Sequence, residues 1–212
     1  MATKDEILTR LLKEENYVSG EELARQTGVS RAAVWKAIKS LKKSGYDIEG
    51  VTKCGYKLKQ NNSLVTAEGV KALLEKDIEV THFDTVDSTN TYCKRLLADG
   101  KQGEFLVTAA KQTAGRGRQG KSFYSPSETG IYFSLVIRPD TSLQNAVTAT
   151  TAAAVAVCKA IEKTTDLKPK IKWVNDVYLN GKKVCGILTE ATTDFESGTV
   201  DSVIIGIGIN IS

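Results

Sequence analysis

The stretch KWVNDVYLNGKKVCGILTE, residues 172–190, contains two apolar runs separated by Asn180 and Gly181. Asn-Gly is the dipeptide preferred in tight hairpin turns, because both residues tolerate the positive φ angles that such turns require. The stretch therefore predicts a β-hairpin. A hairpin between long strands favours an antiparallel or mixed sheet, and the helical patterns around it add helices to that sheet. We predict an α+β domain.

Apolar periodicity outward from this hairpin predicts the other elements of the same domain. Helices are predicted over residues 66–75, 89–99 and 142–163. Strands are predicted over the remaining apolar runs, which are 79–86, 104–112, 130–138, 171–173, 177–180, 182–190 and 199–210. Trp173 is expected in the core rather than at a ligand.

A glycine-rich segment at residues 109–126, AAKQTAGRGRQGKSFYSP, fits two phosphate-binding patterns. Residues 115–122 spell the P-loop, and residues 115–120 spell the dinucleotide fingerprint G-x-G-x-x-G. Both patterns need a helix directly after the loop, because the phosphate binds the free N–H groups of its first turn. Residues 123–130, FYSPSETG, contain a proline and lead into an apolar strand instead. We interpret the segment as a flexible loop whose arginines and Lys121 hold an anionic ligand through their side chains.

The positive charge of the chain is concentrated at its N-terminal end. Residues 1–60 contain 12 Lys and Arg against 8 Asp and Glu, whereas residues 61–212 contain 17 of each. Within residues 31–59 the basic residues outnumber the acidic ones by eight to two. This excess predicts a polyanionic partner for the N-terminal segment alone.

Apolar spacing and capping residues predict a winged helix in this segment. Ser19 and Ser30 are expected to cap the second and third of three helices, with the turn TGVS between them, and two extended runs at 46–51 and 55–59 form a wing. A helix-turn-helix of this kind places its second helix in the major groove of DNA. The alternative is a small helical domain with a solvated surface of lysines. The candidate DNA-binding residues are Ser30, Arg31, Lys36, Lys39, Lys43, Lys53 and Lys57.

A polar stretch divides the chain. We predict a DNA-binding domain over residues 1–60, a linker over 61–66 and a second domain over 67–212. The N-terminus lacks the apolar core of a signal peptide, and no run approaches the roughly 18 apolar residues of a membrane span, so we expect a cytoplasmic protein without a membrane partner. The 4 cysteines are widely spaced and His82 is the one histidine, which argues against a metal site built from His and Cys.

Four ordered motifs resemble the biotin protein ligases: DSTN at 87–90, GRGRQG at 115–120, the hairpin stretch at 172–190 and GIGIN at 206–210. Together with the winged helix, the chain resembles the bifunctional bacterial type, in which a ligase and a biotin-operon repressor share one chain. The resemblance implies a class II synthetase-like catalytic domain that condenses biotin with ATP, in the presence of Mg²⁺, to biotinyl-5′-AMP. It further implies transfer of biotin to a lysine in the biotin-acceptor domain of a carboxylase, and an adenylate-bound homodimer that binds operator DNA.

The resemblance also implies roles for individual residues. Those implied in catalysis are Lys183 and Arg118. Those implied in biotin binding are Ser88, Thr89, Asn90, Gln112, Gly115, Arg116, Gly117, Arg118 and Lys183. Those implied in binding ATP or the adenylate are Arg116, Arg118, Lys121, Phe123, Lys172, Asn175, Asp176 and Asn210. Asp176 is the candidate ligand for Mg²⁺.

Three departures from the family pattern accompany the resemblance. Val174 stands where the family has proline, and Phe123 stands where it has tryptophan. The family continues beyond the position of Ser212 into further helices and an SH3-like domain, so we expect an incomplete catalytic domain here. Two alternative functions remain: a non-catalytic, biotin-sensing transcription factor and a relative of lipoate ligases, although the loop GRGRQG favours biotin.

Overall fold

The computed structural model describes residues 3–59, 65–139, 143–193 and 200–211, with no description of the side chains of residues 143–147. The chain divides into two compact units, Met1–Asp77 and Ile78–Ser212. Most of the predicted linker, residues 61–64, lies outside the described residues. No helix of the described part is long and apolar enough to cross a membrane.

The N-terminal unit is a helix-turn-helix followed by a wing, as predicted. Its elements are α1 (Thr3–Lys13), α2 (Gly20–Thr27), α3 (Arg31–Lys43), β1 (Ile48–Val51), β2 (Gly55–Leu58) and α4 (Ala67–Leu73). The Oγ atoms of Ser19 and Ser30 accept the N–H groups of Glu22 and Ala33 at 3.0 and 3.2 Å, so both serines cap their helices. Gly28 ends α2 with a φ of 66°, a conformation that disfavours any side chain.

The core of the N-terminal unit lies between its helices and the wing. Val34, Ile38 and Leu41 of α3 are all buried, which confirms the face predicted from their i, i+4, i+7 spacing. They pack in one apolar cluster with residues of the other elements, among them Ile7, Leu8, Leu11, Leu23, Tyr46, Ile48 and Leu58. This burial holds the basic surface of α3 on the outside of the unit.

Helix α4 belongs to the N-terminal unit, so the division falls after Asp77 rather than at the predicted boundary between residues 66 and 67. Lys4 Nζ of α1 donates to Glu68 Oε1 at 2.9 Å. The Tyr46 hydroxyl hydrogen-bonds to the hydroxyl of Thr66, which also caps α4. These long-range contacts leave no mark on local composition, and a boundary drawn from composition therefore falls too early.

The C-terminal unit is built on a mixed sheet. Its strands are β3 (Glu79–Phe83), β4 (Phe105–Ala109), β5 (Gly130–Ile137), β6 (Lys170–Lys172), β7 (Asp176–Leu179), β8 (Lys182–Thr193) and β9 (Val200–Asn210), and its helices are α5 (Thr89–Ala98) and α6 (Leu143–Thr164). These elements agree with the predicted ones to within three residues at either end. The strand order is β3-β4-β5-β9-β8-β7-β6, with β3 and β4 parallel and the other pairs antiparallel. Asn180 and Gly181, with φ angles of 48° and 79°, make the predicted turn between β7 and β8.

Each face of the sheet carries one of the two helices. Side chains alternate along β9, so Ile204 packs with Cys93 of α5, whereas Val203 and Ile205 pack with Ala154 of α6. The same alternation places every second residue of β8 on the face of α5. That face holds the cleft described below.

Candidate functional site

Glycines open a cleft on the α5 face of the two central strands. Gly186 of β8 pairs with Gly208 of β9. A Cβ at Gly206 would lie 2.0 Å from Oδ1 of Asn90, and one at Gly208 would lie 2.4 Å from the ring of Phe123. The absence of side chains at these positions lets the amide of Asn90 and the ring of Phe123 lie directly on the backbone of the sheet.

The cleft comprises about 450 Å³ of space, including space open to solvent. Its lining comes from stretches that are far apart in the sequence: the start of α5, the glycine-rich loop, the turn before β7, and strands β8 and β9. It contains these residues that the resemblance implies in ligand binding: Ser88, Thr89, Asn90, Gln112, Arg116, Gly117, Arg118, Phe123, Asn175 and Lys183.

The glycine-rich loop folds back on itself at the edge of this cleft. Gly117 N–H donates to the carbonyl of Lys121 at 2.7 Å, and Phe123 N–H donates to the carbonyl of Gly115 at 2.8 Å. Its tip is a single 3₁₀ turn, Arg118–Gly120, and no α-helix follows before β5. The loop is therefore neither a P-loop nor a dinucleotide fingerprint, as its sequence context predicts.

Polar side chains from three segments meet at one end of the cleft. Arg118 Nη1 donates to Oδ1 of Asn175 at 3.1 Å. Asn175 Nδ2 donates to Oδ1 of Asp176 at 3.0 Å, and Lys183 Nζ pairs with the same oxygen at 2.7 Å. Lys183 is thus paired with the carboxylate of Asp176, and Arg118 is linked to the same carboxylate through the amide of Asn175.

A buried hydrogen-bond network lies next to the glycines that form the floor of the cleft. Gln112 Oε1 accepts the backbone N–H of Thr89 at 2.9 Å, and Gln112 Nε2 donates to Ser125 Oγ at 2.9 Å. Ser134 Oγ donates to Oδ1 of Asn90 at 2.6 Å. Thr89, Asn90, Ser125 and Ser134 are all buried, and buried polar groups that are hydrogen-bonded hold one orientation.

Glu190 lies behind the cleft and is absent from the sequence-based candidates. Its Oε1 pairs with Lys94 Nζ at 2.7 Å and with Arg116 Nη2 at 3.4 Å, and its Oε2 accepts Asn90 Nδ2 at 3.0 Å. Burial opposes ionisation of this carboxyl, but the hydrogen bonds from Lys94 and Asn90 together with the charges of Lys94 and Arg116 outweigh it, so the pKa of Glu190 lies below its usual value. Strand alternation from Gly186 could have placed this residue on the cleft face.

Lys172 and Trp173, the first two residues of the hairpin stretch, lie apart from the cleft. Lys172 is not among the residues that line the cleft. Its Nζ lies 5.4 Å from the centroid of the Tyr178 ring. The expectation that Trp173 is a core residue is wrong, since its side chain is 80% exposed. The peptide bond between Trp173 and Val174 is cis.

Lys121 and Asn210 line grooves that adjoin the cleft. Lys121 lies in a groove with Asn175 and Asp176, and Asn210 in another with Tyr124. Both grooves share Phe123 and Lys183 with the main cleft. The residues implied in nucleotide binding, other than Lys172, therefore surround the outer part of one continuous region.

The cysteines do not form a metal site within the described residues. Cys54 is exposed, whereas Cys93, Cys158 and Cys185 are buried, and all are free thiols. Burial raises the pKa of both Cys93 and Cys185 to about 12, so these thiols stay protonated at neutral pH. No group of three or more His, Cys, Asp and Glu in the described ranges could hold a metal ion.

The candidate DNA-binding residues lie on α3 and on the wing. Those that are exposed are Ser30, Arg31, Lys36, Lys39, Lys43 and Lys53. Lys57 is half-buried and lies opposite Glu49 across the wing, which weakens its availability to a phosphate. Trp35 was not a candidate, yet it is 55% exposed on α3, with Lys39 Nζ 5.2 Å from its ring centroid. A groove between α3 and the wing contains Arg31, Trp35 and Lys53.

Two regions of the chain match known protein families. Residues 82–210 match the biotin/lipoate A/B protein ligase family, and residues 3–57 match an HTH domain family. The chain belongs to the biotin/lipoate A/B protein ligase family.

Two curated relatives of this chain are named as bifunctional ligase/repressors. The bifunctional ligase/repressor BirA of Bacillus spizizenii is 40% identical over 199 residues, covering 92% of this chain and 61% of the relative. The BirA of Bacillus subtilis is 39% identical with the same coverage. A biotin protein ligase from Aquifex aeolicus, solved in complex with biotin and ATP, is 32% identical with a TM-score of 0.50 over 63% of this chain and 52% of that chain. This chain thus spans about three fifths of the length of these curated relatives.

Proposed function

We propose that this chain activates biotin with ATP to form biotinyl-5′-AMP and pyrophosphate, and transfers biotin to a lysine of a biotin-acceptor domain in a carboxylase. We further propose that the adenylate-bound form dimerises and represses transcription by binding operator DNA. Both activities would operate in the cytoplasm. The observation that carries the ligase proposal is the convergence of four distant motifs on one glycine-floored cleft.

The chemistry of adenylation fits the charges around this cleft. A carboxylate is a poor acyl donor, and its attack on the α-phosphate of ATP brings two anions together. Lys183 and Arg118 would offset this repulsion as the bond forms, since both are cations that line the cleft. The contacts of Lys183 with Asp176 and of Arg118 with Asn175 hold the two cations in place before substrate binds.

The buried network would bind the ureido group of biotin, and the outer grooves would bind the nucleotide. Ser88, Thr89 and Gln112 supply fixed donors and acceptors, while the glycine floor leaves room for the rings of a small ligand. Phe123 supplies an apolar face for adenine. Lys121 and Asn210 would contact the nucleotide from the adjoining grooves.

Asp176 is a suitable residue to hold Mg²⁺. A carboxylate is a ligand that Mg²⁺ prefers, and such ions are often held by one or two carboxylates together with substrate phosphates. The two contacts of Asp176, from Asn175 and Lys183, both involve Oδ1. The ion would reduce the negative charge of the phosphates.

The repressor proposal is supported by the N-terminal unit. Its α3 exposes Arg31, Lys36, Lys39 and Lys43, and the wing exposes Lys53, so phosphates of DNA can be neutralised from two elements. A single small module makes few contacts, which favours a dimer on a two-fold site. Ligand binding that orders the loop would then favour the dimer and the repressed state.

Biotin-dependent release of pyrophosphate from ATP tests the ligase proposal. We expect Lys183→Met to lower the rate by about a hundredfold, the usual effect of removing one group that stabilises developing charge. Lys182→Met is the matched control, because the neighbouring residue alternates to the other face of β8 and should retain the wild-type rate. If the release of pyrophosphate depended on lipoate in place of biotin, the chain would be a lipoate ligase. If the wild type released no pyrophosphate, the ligase proposal would be wrong and the alternative of a non-catalytic, biotin-sensing transcription factor would be favoured.

Titration of operator DNA with and without biotin and ATP tests the repressor proposal. We expect tighter binding when both small molecules are present, because the adenylate would stabilise the dimer. Equal affinities would exclude the adenylate as a corepressor.

A further inference from the structure

We propose that Glu190 is a positioning residue of the ligand cleft: its carboxylate holds Arg116 of the loop and Asn90 of α5 in the places from which they contact the ligand. This inference rests on the proposed function for the identity of the ligand. Its central element, the restraint of the loop by Glu190, concerns the ligand-free protein and can be measured without any ligand.

The geometry links three separate elements through one side chain. Glu190 lies on β8, and its two oxygens reach Arg116 of the glycine-rich loop at 3.4 Å and Asn90 of α5 at 3.0 Å. Both partners line the cleft, whereas Glu190 does not. With a side chain only 18% exposed, Glu190 acts from behind the surface that a ligand would touch.

Electrostatics make the carboxylate charge essential to this arrangement. Lys94 and Arg116 both approach Oε1, so two cations share one anion. Without that charge the cations would repel each other, and Arg116, on a glycine-rich loop, would move more easily than Lys94, on a helix. The lowered pKa of Glu190 keeps its carboxylate ionised at neutral pH.

The two arginines of the loop are held by different segments of the chain. Arg116 is paired with Glu190, and Arg118 is hydrogen-bonded to Asn175 just before β7. The Oδ1 atom of Asn90 accepts a hydrogen bond from Ser134. Glu190 therefore ties the side chain of Arg116 to that of Asn90 in the buried network, while the side chain of Arg118 is held elsewhere.

Limited trypsin digestion of the ligand-free protein tests the restraint directly. Glu190→Gln keeps the shape and the acceptor for Asn90 but removes the charge, so cleavage after Arg116 should become about tenfold faster, as for the loss of roughly 1.4 kcal/mol of restraint. Lys94→Met removes the other ion pair and should leave the cleavage rate after Arg116 at the wild-type value.

Glu190→Asp retains the charge next to Lys94 and is expected to give an intermediate rate. It serves as the second variant if Glu190→Gln does not fold. Wild-type rates in every folded Glu190 variant, or equal acceleration in Lys94→Met, would overturn the proposal.

Biotin binding measured by calorimetry tests the consequence for the cleft. We expect Glu190→Gln to weaken biotin binding about tenfold, with Lys94→Met within twofold of wild type. The variant Arg116→Gln and the double variant Arg116→Gln/Glu190→Gln should bind biotin similarly, because Glu190 acts on affinity mainly through Arg116. Effects that multiply in the double variant would indicate a general structural role and would contradict the proposal. A wild-type chain that binds no biotin would refute the proposed function instead, and the trypsin result would still decide whether Glu190 restrains the loop.

Discussion

The two units of this chain carry their functional groups in opposite ways. In the N-terminal unit, the candidate groups are cations on the outside of α3 and the wing, and the core beneath them is apolar. In the C-terminal unit, the candidate groups rest on a buried polar network over a floor of glycines. Surface charge can be exchanged with little structural consequence, whereas the cleft depends on side chains and backbone that have no room to move.

This contrast also separates what each unit demands of its core. The core of the winged helix supports the basic surface of α3 and the wing. A loss of core packing therefore weakens all the contacts of that surface with DNA together. The ligase unit needs particular atoms at particular places, so a single methyl group at the floor matters. Substitutions in each unit can test whether this division holds.

The largest expected effect follows from a cavity in the N-terminal core. Leu8 is fully buried, and Leu8→Ala should destabilise this unit by about 2–5 kcal/mol, enough to unfold much of a small domain. DNA binding should be lost while biotin-dependent pyrophosphate release stays within twofold of wild type. Thermal unfolding followed by circular dichroism, together with both assays, measures this; a parallel loss of pyrophosphate release would show that the units are not independent.

A smaller but more local effect is expected at the cleft floor. In Gly206→Ala the new Cβ would meet Asn90 Oδ1 at 2.0 Å, and Asn90 is held by Ser134 and Glu190. Overpacking of this kind costs about 1–3 kcal/mol, and biotin affinity should fall with stability. Gly20→Ala in the N-terminal unit is the control, because its Cβ would be an ordinary 3.5 Å from Tyr56. Equal unfolding temperatures for the two variants would contradict the contrast between the units.

The smallest expected effect is on the salt dependence of DNA binding. Lys36→Gln removes an exposed cation from α3, so the slope of log K against log salt should become shallower by about 0.9, the contribution of one phosphate. The fold and the ligase activity should not change. Lys163→Gln, at an exposed position in the last turn of α6, should retain the wild-type slope. A slope unaffected by either substitution would place the phosphate contacts away from Lys36.

Local patterns in the sequence predicted most of the secondary structure. The Asn180-Gly181 turn and the caps at Ser19 and Ser30 depend on neighbouring residues, so they can be recognised without the fold. The proline in residues 123–130 likewise excluded a helix after the glycine-rich loop. The hairpin predicted an antiparallel or mixed sheet, and the parallel pairing of β3 with β4 makes the sheet mixed.

What the sequence did not predict depends on contacts between distant residues. Glu190 meets Asn90 and Lys94 only because β8 lies beside α5 in the fold. Helix α4 joins the N-terminal unit through Tyr46 and Lys4, which local composition does not reveal. Lys172 rests over the ring of Tyr178 rather than in the cleft, since strand pairing brings an aromatic ring within its reach.

The chain has 2 tryptophans, one in each unit. Trp35 lies on α3 and Trp173 lies just before β7, and both indoles are largely exposed. Fluorescence from Trp173→Phe would therefore report the N-terminal unit alone, and fluorescence from Trp35→Phe would report the C-terminal unit alone. The protein thus carries one intrinsic fluorophore of this kind in each unit, so the two units can be observed separately in solution without any added label.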